Sequence, residues 1–222
     1  MITDPNFFFD KIRIREPFSI ARFNDGEMLA IEGAEGSVSR GAQKVDKAVS
    51  VYLTESLLPL EDYWVGVPCR TCFPKQRQTF DSMCGNYNTF SATIFTNNSR
   101  YKDIHDAMVE ALRGREVIWI GGDDQDVRRL PFKISTLLCA SSKNCFTQFN
   151  DTIHNISEMD VKGKVVMSSC GPMSRAISYF GFKYNQEATF IDIGSFFDPV
   201  TRGVTHNYHL DKTGYCKECN SE

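Results

Sequence analysis

The sequence lacks the features that would assign it to a membrane, secretory or nucleic-acid-binding class. No apolar run approaches the roughly 18 residues that a transmembrane helix needs. The N-terminus has a short aromatic run but neither the basic start nor the apolar segment of a signal peptide. The formal net charge is only −3, which gives no electrostatic footprint for nucleic acid or for an anionic membrane surface. We therefore expect a cytoplasmic protein, of a bacterium or of a virus-infected host cell, that binds no nucleic acid and spans no membrane.

The chain also lacks internal repeats and low-complexity linkers, which indicates a single domain over residues 1–222. Its composition, 41% hydrophobic and 24% charged, is typical of a soluble globular protein. A chain of this length is long enough to bury one full core.

Apolar periodicity divides the chain into alternating strands and helices. The predicted strands are residues 18–23, 63–67, 92–96, 116–120, 144–149, 164–168 and 189–193. The predicted helices are residues 27–32, 45–58, 101–112, 130–138, 153–159 and 172–181, and glycine-rich residues 33–41 are expected to form a loop. This alternation predicts an α/β, Rossmann-like fold in which helices flank a mostly parallel sheet.

Four polar turns follow predicted strands, at residues 24–27, 121–124, 168–172 and 192–195. Ligands of open α/β sheets bind outside the carboxyl ends of the strands. The sequence therefore predicts a ligand site at the edge of the sheet where these four turns meet.

In the first turn, Asp25 and Glu27 flank Gly26 between a strand and a helix. Two carboxylates that face one point suit Mg²⁺ or Mn²⁺, which keep open positions for water and substrate phosphates. The alternative is an ordinary helix cap, because Asn-Asp-Gly is a common turn and acidic residues favour helix starts.

The third turn, which contains Ser169, Gly171 and Pro172, opens a helix directly after a buried strand. Free N–H groups at a helix start, together with serine hydroxyls, are typical of a diphosphate site. Arg175, one turn into the helix, would add a positive charge or else face solvent. The alternative for the turn is a plain strand-to-helix connection with a serine cap.

The second turn resembles a dinucleotide-binding turn only loosely, because the third glycine of that pattern is missing. Gly121 and Gly122 would let a base or a ribose lie against the backbone, with Asp123 or Asp124 accepting from its hydroxyls.

Two aspartates near the last turn are candidates for a general base. Asp198 follows the strand and is expected to be exposed to a cleft, although a turn aspartate before proline is an equal alternative. Asp192 lies inside the predicted strand and is either a second candidate base or a buried structural residue.

Two of the eight cysteines form the pair Cys69-x-x-Cys72 and two form Cys216-x-x-Cys219. Four thiolates are the usual ligand set of structural zinc. If the pairs meet, zinc would fix the cysteine-rich C-terminal tail, about residues 205–222, to the loop at residues 68–74. Cysteines without a metal are the alternative.

Three motifs, in this order, resemble those of the GT-D-type glycosyltransferases, a family of nucleotide-sugar-dependent enzymes. They are Arg22-Phe-Asn-Asp-Gly-Glu27, Ser169-Cys-Gly-Pro172 and Ile191-Asp-Ile-Gly-Ser-Phe-Phe-Asp-Pro199. The resemblance implies a UDP-sugar donor and a divalent cation, with Asp25 and Glu27 as the Asp-x-Glu site, Arg22 nearby and the Gly171-Pro172 turn lining the donor pocket. The chain departs from the family in having Asn24 where glycine is expected, and the resemblance covers the two ends of the domain well but residues 32–115 poorly.

These observations predict a metal-assisted glycosyltransferase that moves a sugar from a nucleoside-diphosphate sugar to a hydroxyl of a glycan or glycoprotein acceptor. Such a transfer requires that the leaving diphosphate be stabilised, which a cation and helix-start N–H groups would do. Two alternatives remain, namely another Rossmann-like nucleotide-binding transferase or hydrolase, and a zinc-stabilised interaction module without catalytic activity.

Overall fold

The computed structural model describes residues 1–33, 36–38, 43–84, 88–96, 100–206 and 209. The helices of these ranges are α1 (Asn6–Ile14), α2 (Asp25–Ile31), α3 (Lys47–Glu55), α4 (Pro74–Met83), α5 (Tyr101–Ala111), α6 (Phe149–Glu158), α7 (Met173–Tyr184) and α8 (Asp198–Thr201). The strands are β1 (Ser19–Arg22), β2 (Gly36–Val38), β3 (Gln43–Val45), β4 (Tyr63–Val67), β5 (Thr89–Ser91), β6 (Val117–Gly122), β7 (Ile134–Ala140), β8 (Val165–Ser169) and β9 (Thr189–Asp192). No helix of these ranges is long and apolar enough to cross a membrane.

Seven strands form one sheet in the order β5-β4-β1-β9-β8-β6-β7. Every neighbouring pair in this sheet is parallel. The predicted α/β fold with a parallel sheet is therefore confirmed. Since β1 lies between β4 and β9, the chain leaves β1 toward one edge and later returns on its other side, so this is the switch point at which such folds bind ligands.

Two apolar layers enclose the sheet. One layer packs α1 and α5 against it, with Phe8 and Met108 fully buried. The other layer packs α2, α3, α4, α6 and α7 against the opposite face, with Met28 and Ile177 fully buried. The central strands β1, β6, β8 and β9 are buried along their whole length because both faces of the sheet are covered there.

The two edges of the sheet differ. At the β5 edge, the N–H of Ile2 donates to the carbonyl of Thr89 (2.8 Å) and its carbonyl accepts from Ser91 (3.0 Å). At the other edge, β7 pairs with β6 alone among the described strands.

Several predicted elements are wrong. Residues 130–138 were predicted as a helix, but β7 occupies most of them, because a short apolar run does not distinguish the two structures and Ile134 and Thr136 favour a strand. Residues 144–149 form a short 3-10 helix, Cys145–Gln148, in place of the predicted strand. Residues 92–96 form turns after β5, and part of the predicted loop at residues 33–41 forms β2.

Two helices, α4 and α7, also differ from the prediction. Helix α4 was not predicted, because it is mostly polar and buries only Phe80. The last predicted helix does not end at Gly181 but continues to Tyr184. Gly181 lies inside it because the ring of Phe190 packs directly against this position, where a methyl group would overlap the ring.

Candidate functional site

The ends of β1 and β9 hold a buried cluster of four charged side chains. Arg22, Glu27, Arg175 and Asp192 are 4%, 6%, 6% and 0% exposed. Burial of charges is costly unless each is paired. The cluster balances two guanidinium groups against two carboxylates, and it lies at the switch point of the sheet.

Arg22 and Asp192 are bonded twice across the sheet. The backbone N–H of Arg22 donates to Asp192 Oδ2 (2.9 Å), and Arg22 Nε donates to the Asp192 carbonyl (3.1 Å). Arg22 Nη2 lies 3.8 Å from Asp192 Oδ1. The side chain of Arg22 therefore has a fixed direction at the carboxyl end of the sheet.

Arg175 is the centre of the cluster and does not face solvent. Its Nε donates to the Arg22 carbonyl (2.7 Å) and lies 3.2 Å from Asp192 Oδ2. Its Nη1 donates to the Gly171 carbonyl (2.7 Å), and its Nη2 lies 3.2 Å from Glu27 Oε1. Burial alone would lower the pKa of Arg175, but Asp192 and Glu27 outweigh it, so the pKa is raised and the group stays charged.

The predicted Asp-x-Glu turn starts α2 with a helix cap. Asn24 is the N-cap residue, and its backbone N–H donates to Glu27 Oε2 (3.1 Å), which forms a capping box. In the part of the chain that the structure describes, Glu27 thus contacts the Asn24 N–H and Arg175. The side chain of Asp25 lies outside the part of the chain that the structure describes.

The predicted phosphate turn joins β8 to α7, as expected. However, the Ser169 hydroxyl donates to the Gly194 carbonyl (2.7 Å) and accepts from Gln125 Nε2 (2.8 Å). Pro172 is the residue before the first turn of α7. The Ser169 hydroxyl therefore already has one donor and one acceptor within the chain.

The two predicted nucleotide-turn glycines are covered by side chains of the chain itself. A methyl group at Gly121 would overlap the amide of Gln125, and one at Gly122 would come within 2.5 Å of Asp124 Oδ1. Ser142 lowers the pKa of the Asp123 carboxyl, first through a hydrogen bond from its side chain and then through its backbone N–H (3.1 Å).

Asp198 is only 5% exposed, so the expectation that it is open to a cleft is wrong. As the first residue of α8, it lies beside the side chains of Arg202 and His206. Arg202 Nη1 donates to its Oδ1 (2.7 Å), and His206 Nε2 lies 3.0 Å from its Oδ2. Arg202 in turn holds Asp124 through two bonds of 2.9 and 3.0 Å.

The first cysteine pair lies in the loop between β4 and α4, beside the end of β1. The Cys72 N–H donates to Cys69 Sγ (3.5 Å), and both residues are half-buried. Cys216 and Cys219, together with most of the predicted C-terminal tail, lie outside the described residues.

Within the described ranges, no group of three or more His, Cys, Asp and Glu side chains is arranged to hold a metal. Magnesium sites need fewer protein ligands, typically one or two carboxylates that are completed by water and substrate phosphates. Among the described residues, each oxygen of Glu27 has one neighbour, and a second lone pair of each could serve a cation. The donor set is therefore compatible with Mg²⁺ or Mn²⁺.

Two residues of the site, Gln125 and Arg202, were not predicted from the sequence. Each acts through partners far away in the chain, since Gln125 reaches Ser169 and Arg202 reaches Asp124. The only local signal for Arg202 was its position four residues after Asp198, the spacing of a helical ion pair.

The sequence matches no protein-family model and no curated protein. Solved structures nevertheless match the fold. Two structures of domain of unknown function 1792, one of them described as having "a distinct glycosyltransferase fold", give a TM-score of 0.66 at 18% identity, over 85% of this chain and 76% of theirs. A structure described as a new glycosyltransferase with this domain from Streptococcus sanguinis gives 0.67 at 16% identity, over 98% of this chain and 90% of that one. The chain therefore has this glycosyltransferase fold, which confirms the GT-D-type architecture.

Proposed function

We propose that the protein is a glycosyltransferase that takes a sugar from a nucleoside-diphosphate donor, with UDP-sugar as the expected class, and transfers it to a hydroxyl of a glycan or glycoprotein. The fold supports this class of reaction. Within the fold, the proposal depends on the side chain of Arg22.

Arg22 is buried, and its two terminal nitrogens form no hydrogen bond with any described residue, although Nη2 lies 3.8 Å from Asp192 Oδ1. A guanidinium group that is desolvated and oriented but has unused donors is suited to a planar oxyanion such as phosphate. Arg22 ends β1, the strand at the switch point. We assign its terminal nitrogens to the donor diphosphate.

Arg175 and Asp192 take positioning roles in this proposal. All three nitrogens of Arg175 already face chain atoms, so it orients Arg22 and Glu27 and leaves the phosphate to Arg22. Asp192 is fully buried between two arginines, which gives an acceptor no route to its carboxylate. The Gly171 N–H, directly before α7, is proposed to complete the phosphate site, since Pro172 has no N–H. Gln125 and Asp124 cover the backbone of Gly121 and Gly122, so we do not propose the second turn, with Asp123, as the nucleoside site.

Asp25 and Glu27 are the proposed holders of a divalent cation. When bound, such a cation supplies Lewis-acid stabilisation of the charge on the leaving diphosphate. The chain's own contribution is to fix Glu27 in place through the capping box and Arg175.

Asp198 remains the proposed general base for the acceptor hydroxyl. Arg202 and His206 each occupy one of its oxygens and hold the carboxylate in one orientation. The second lone pair of each oxygen is left to receive the proton. Replacement of Asp198 by Asn should abolish turnover and leave nucleotide binding intact. Unchanged turnover would remove Asp198 from the mechanism.

We further propose a structural zinc ion that is held by Cys69, Cys72, Cys216 and Cys219. The Cys72 N–H donates to Cys69 Sγ (3.5 Å), so this loop folds back on the first thiol of the pair. Thiolates are the form of cysteine that binds metal, and four of them are the usual ligand set of structural zinc.

The first experiment is thermal unfolding of the purified protein with UDP, GDP or S-adenosylmethionine, each with Mn²⁺ or with EDTA. A ligand at 100 times its dissociation constant stabilises the folded state by about 2.7 kcal/mol. The test variant is Arg22→Lys, which keeps the charge but loses the planar fork, so UDP affinity should fall roughly tenfold. Arg128→Lys, at an exposed arginine, is the matched control.

Stabilisation by a nucleoside diphosphate that Arg22→Lys weakens and Arg128→Lys does not would support the donor site. Stabilisation by S-adenosylmethionine alone would favour another class of transferase. If no nucleotide stabilises the protein, the proposed donor site is wrong.

A further inference from the structure

A chain of side-chain hydrogen bonds crosses the carboxyl ends of three neighbouring strands, β6, β8 and β9. Trp119 Nε1 donates to Gln125 Oε1 (3.0 Å), Gln125 Nε2 donates to Ser169 Oγ (2.8 Å), and Ser169 Oγ donates to the Gly194 carbonyl (2.7 Å). We call these four residues, Trp119, Gln125, Ser169 and Gly194, the strand-end relay.

The relay has only one possible direction. An indole N–H can donate but cannot accept, so the oxygen of the Gln125 amide must face Trp119. The amide nitrogen then faces Ser169 and donates to its hydroxyl. The hydroxyl hydrogen is left for the Gly194 carbonyl. Trp119 is fully buried, so the fixed end of the relay is anchored in the core.

The relay ends at the turn against which Arg22 lies. Gly194 has a φ of +53°, and a methyl group at this position would overlap Arg22 Nη2. The position of the Gly194 backbone therefore limits where the guanidinium can lie. The bond from Ser169 holds that backbone in place from the opposite side.

We infer that Gln125 is a positioning residue of the donor site, which acts through Ser169 and Gly194 to place the Arg22 guanidinium for a diphosphate. This inference rests on the proposed function, since it gives Gln125 a role in the same site. Gln125 itself need not touch the ligand.

Three variants separate the steps of the relay. Gln125→Met keeps the length of the side chain but removes both hydrogen bonds. Gln125→Glu still accepts from Trp119 but cannot donate, so the Ser169 hydroxyl turns toward the new carboxylate and Gly194 loses its donor. Ser169→Ala removes the last bond alone. Gln148→Met is the matched control, because Gln148 is an exposed glutamine whose side chain bonds the Ser141 N–H at another loop.

The probe is UDP with Mn²⁺, measured by calorimetry, and the structural readout is the pair of indole N–H signals in the ¹H–¹⁵N spectrum. The chain has two tryptophans, so the Trp119 signal is assigned by substitution of Trp64. Gln125→Met should shift the Trp119 signal, whereas Gln125→Glu and Ser169→Ala should keep it hydrogen-bonded. All three variants should weaken UDP binding by roughly three- to tenfold, as expected for the loss of one or two buried hydrogen bonds. Gln148→Met should leave both readouts unchanged.

An unmoved Trp119 signal in Gln125→Met would show that the relay does not exist. A moved signal with unchanged UDP affinity would show that the relay is purely structural. If the unmodified protein binds neither UDP nor GDP, the proposed function fails, and the indole signal still reports on the relay.

Discussion

Arg22 and Asp192 are 170 positions apart in the sequence, yet two hydrogen bonds join them. The backbone N–H of Arg22 donates to the side chain of Asp192, and the side chain of Arg22 donates to the backbone carbonyl of Asp192. Asp192 also contacts Arg175, so one fully buried carboxylate partly balances the positive charge of two guanidinium groups. The stability of the fold and the geometry of the proposed site therefore depend on the same residue.

Replacement of Asp192 by Asn should strongly destabilise the protein. The amide keeps the shape but removes the charge, which leaves a buried excess of positive charge. Loss of one partner of a buried pair typically costs about 3–5 kcal/mol. Equilibrium unfolding in urea measures the difference.

The control for this experiment is Asp10→Asn. Asp10 forms an ion pair with Arg13 on the surface of α1, and exposed pairs contribute about 0–1 kcal/mol. Equal stabilities of the two variants would show that the central cluster is not held together by charge.

Glu27→Gln tests the proposed cation without removal of the helix cap. Glutamine also serves at this position of a capping box. The Mn²⁺-dependent part of the stabilisation by UDP should therefore disappear, whereas the shift in EDTA should stay. Glu32→Gln, at the exposed end of the same helix, should behave as the unmodified protein. If Mn²⁺ dependence persists in Glu27→Gln, this carboxylate does not hold the cation.

The zinc proposal predicts about one zinc ion per chain after dialysis without chelator. The double variants Cys69→Ser/Cys72→Ser and Cys216→Ser/Cys219→Ser should each lose it, as elemental analysis would show. Cys139→Ser, at an exposed cysteine on β7, should retain the metal. Zinc that is absent from the unmodified protein, or kept by either double variant, would contradict the four-thiolate site.

His209 should make the protein sensitive to mild acid. Burial, followed by the nearby His206, lowers the pKa of His209 from 6.5 to about 4. Between these two pH values the unfolded chain binds a proton that the folded chain does not. The free energy of unfolding should therefore decrease as the pH is lowered from 6.5 to 4, with no further loss from this residue below pH 4.

Urea unfolding at several pH values measures this decrease. His209→Asn, whose side-chain oxygen can replace Nδ1 as the acceptor of the His206 N–H, should show a flatter profile. His154→Asn, at an exposed position on α6, should leave the slope unchanged. Parallel profiles for His209→Asn and the unmodified protein would exclude His209 as the cause.

The sequence was sufficient to predict the units in which strand, turn and helix follow each other closely. The β1–α2 and β8–α7 units are of this kind, because buried strands and helix-start residues are local signals. The convergence of the turns followed from the rule for parallel sheets. The fold class was correct for the same reason.

The partners of the site residues could not be predicted in this way. Arg175 looked like a phosphate ligand because it follows a phosphate-type turn, but 153 positions separate it from Arg22, whose carbonyl it binds. The glycines at 121 and 122 looked like a nucleotide turn, but they make room for Gln125 and Asp124. Contacts between residues so far apart in the sequence leave no recognisable pattern in the local sequence.

The difference between the two sheet edges limits how copies of the chain can associate. A parallel contact from Ile2 covers the β5 edge, whereas β7 is a seven-residue edge strand without charge or proline. Uncovered edges of this kind are the usual route to pairing between chains. Within the described part of the chain only one edge is open, so pairing through the sheet joins two copies and then has no free edge from which to continue. Polymerisation through the sheet would first require that the N-terminal segment be displaced from β5.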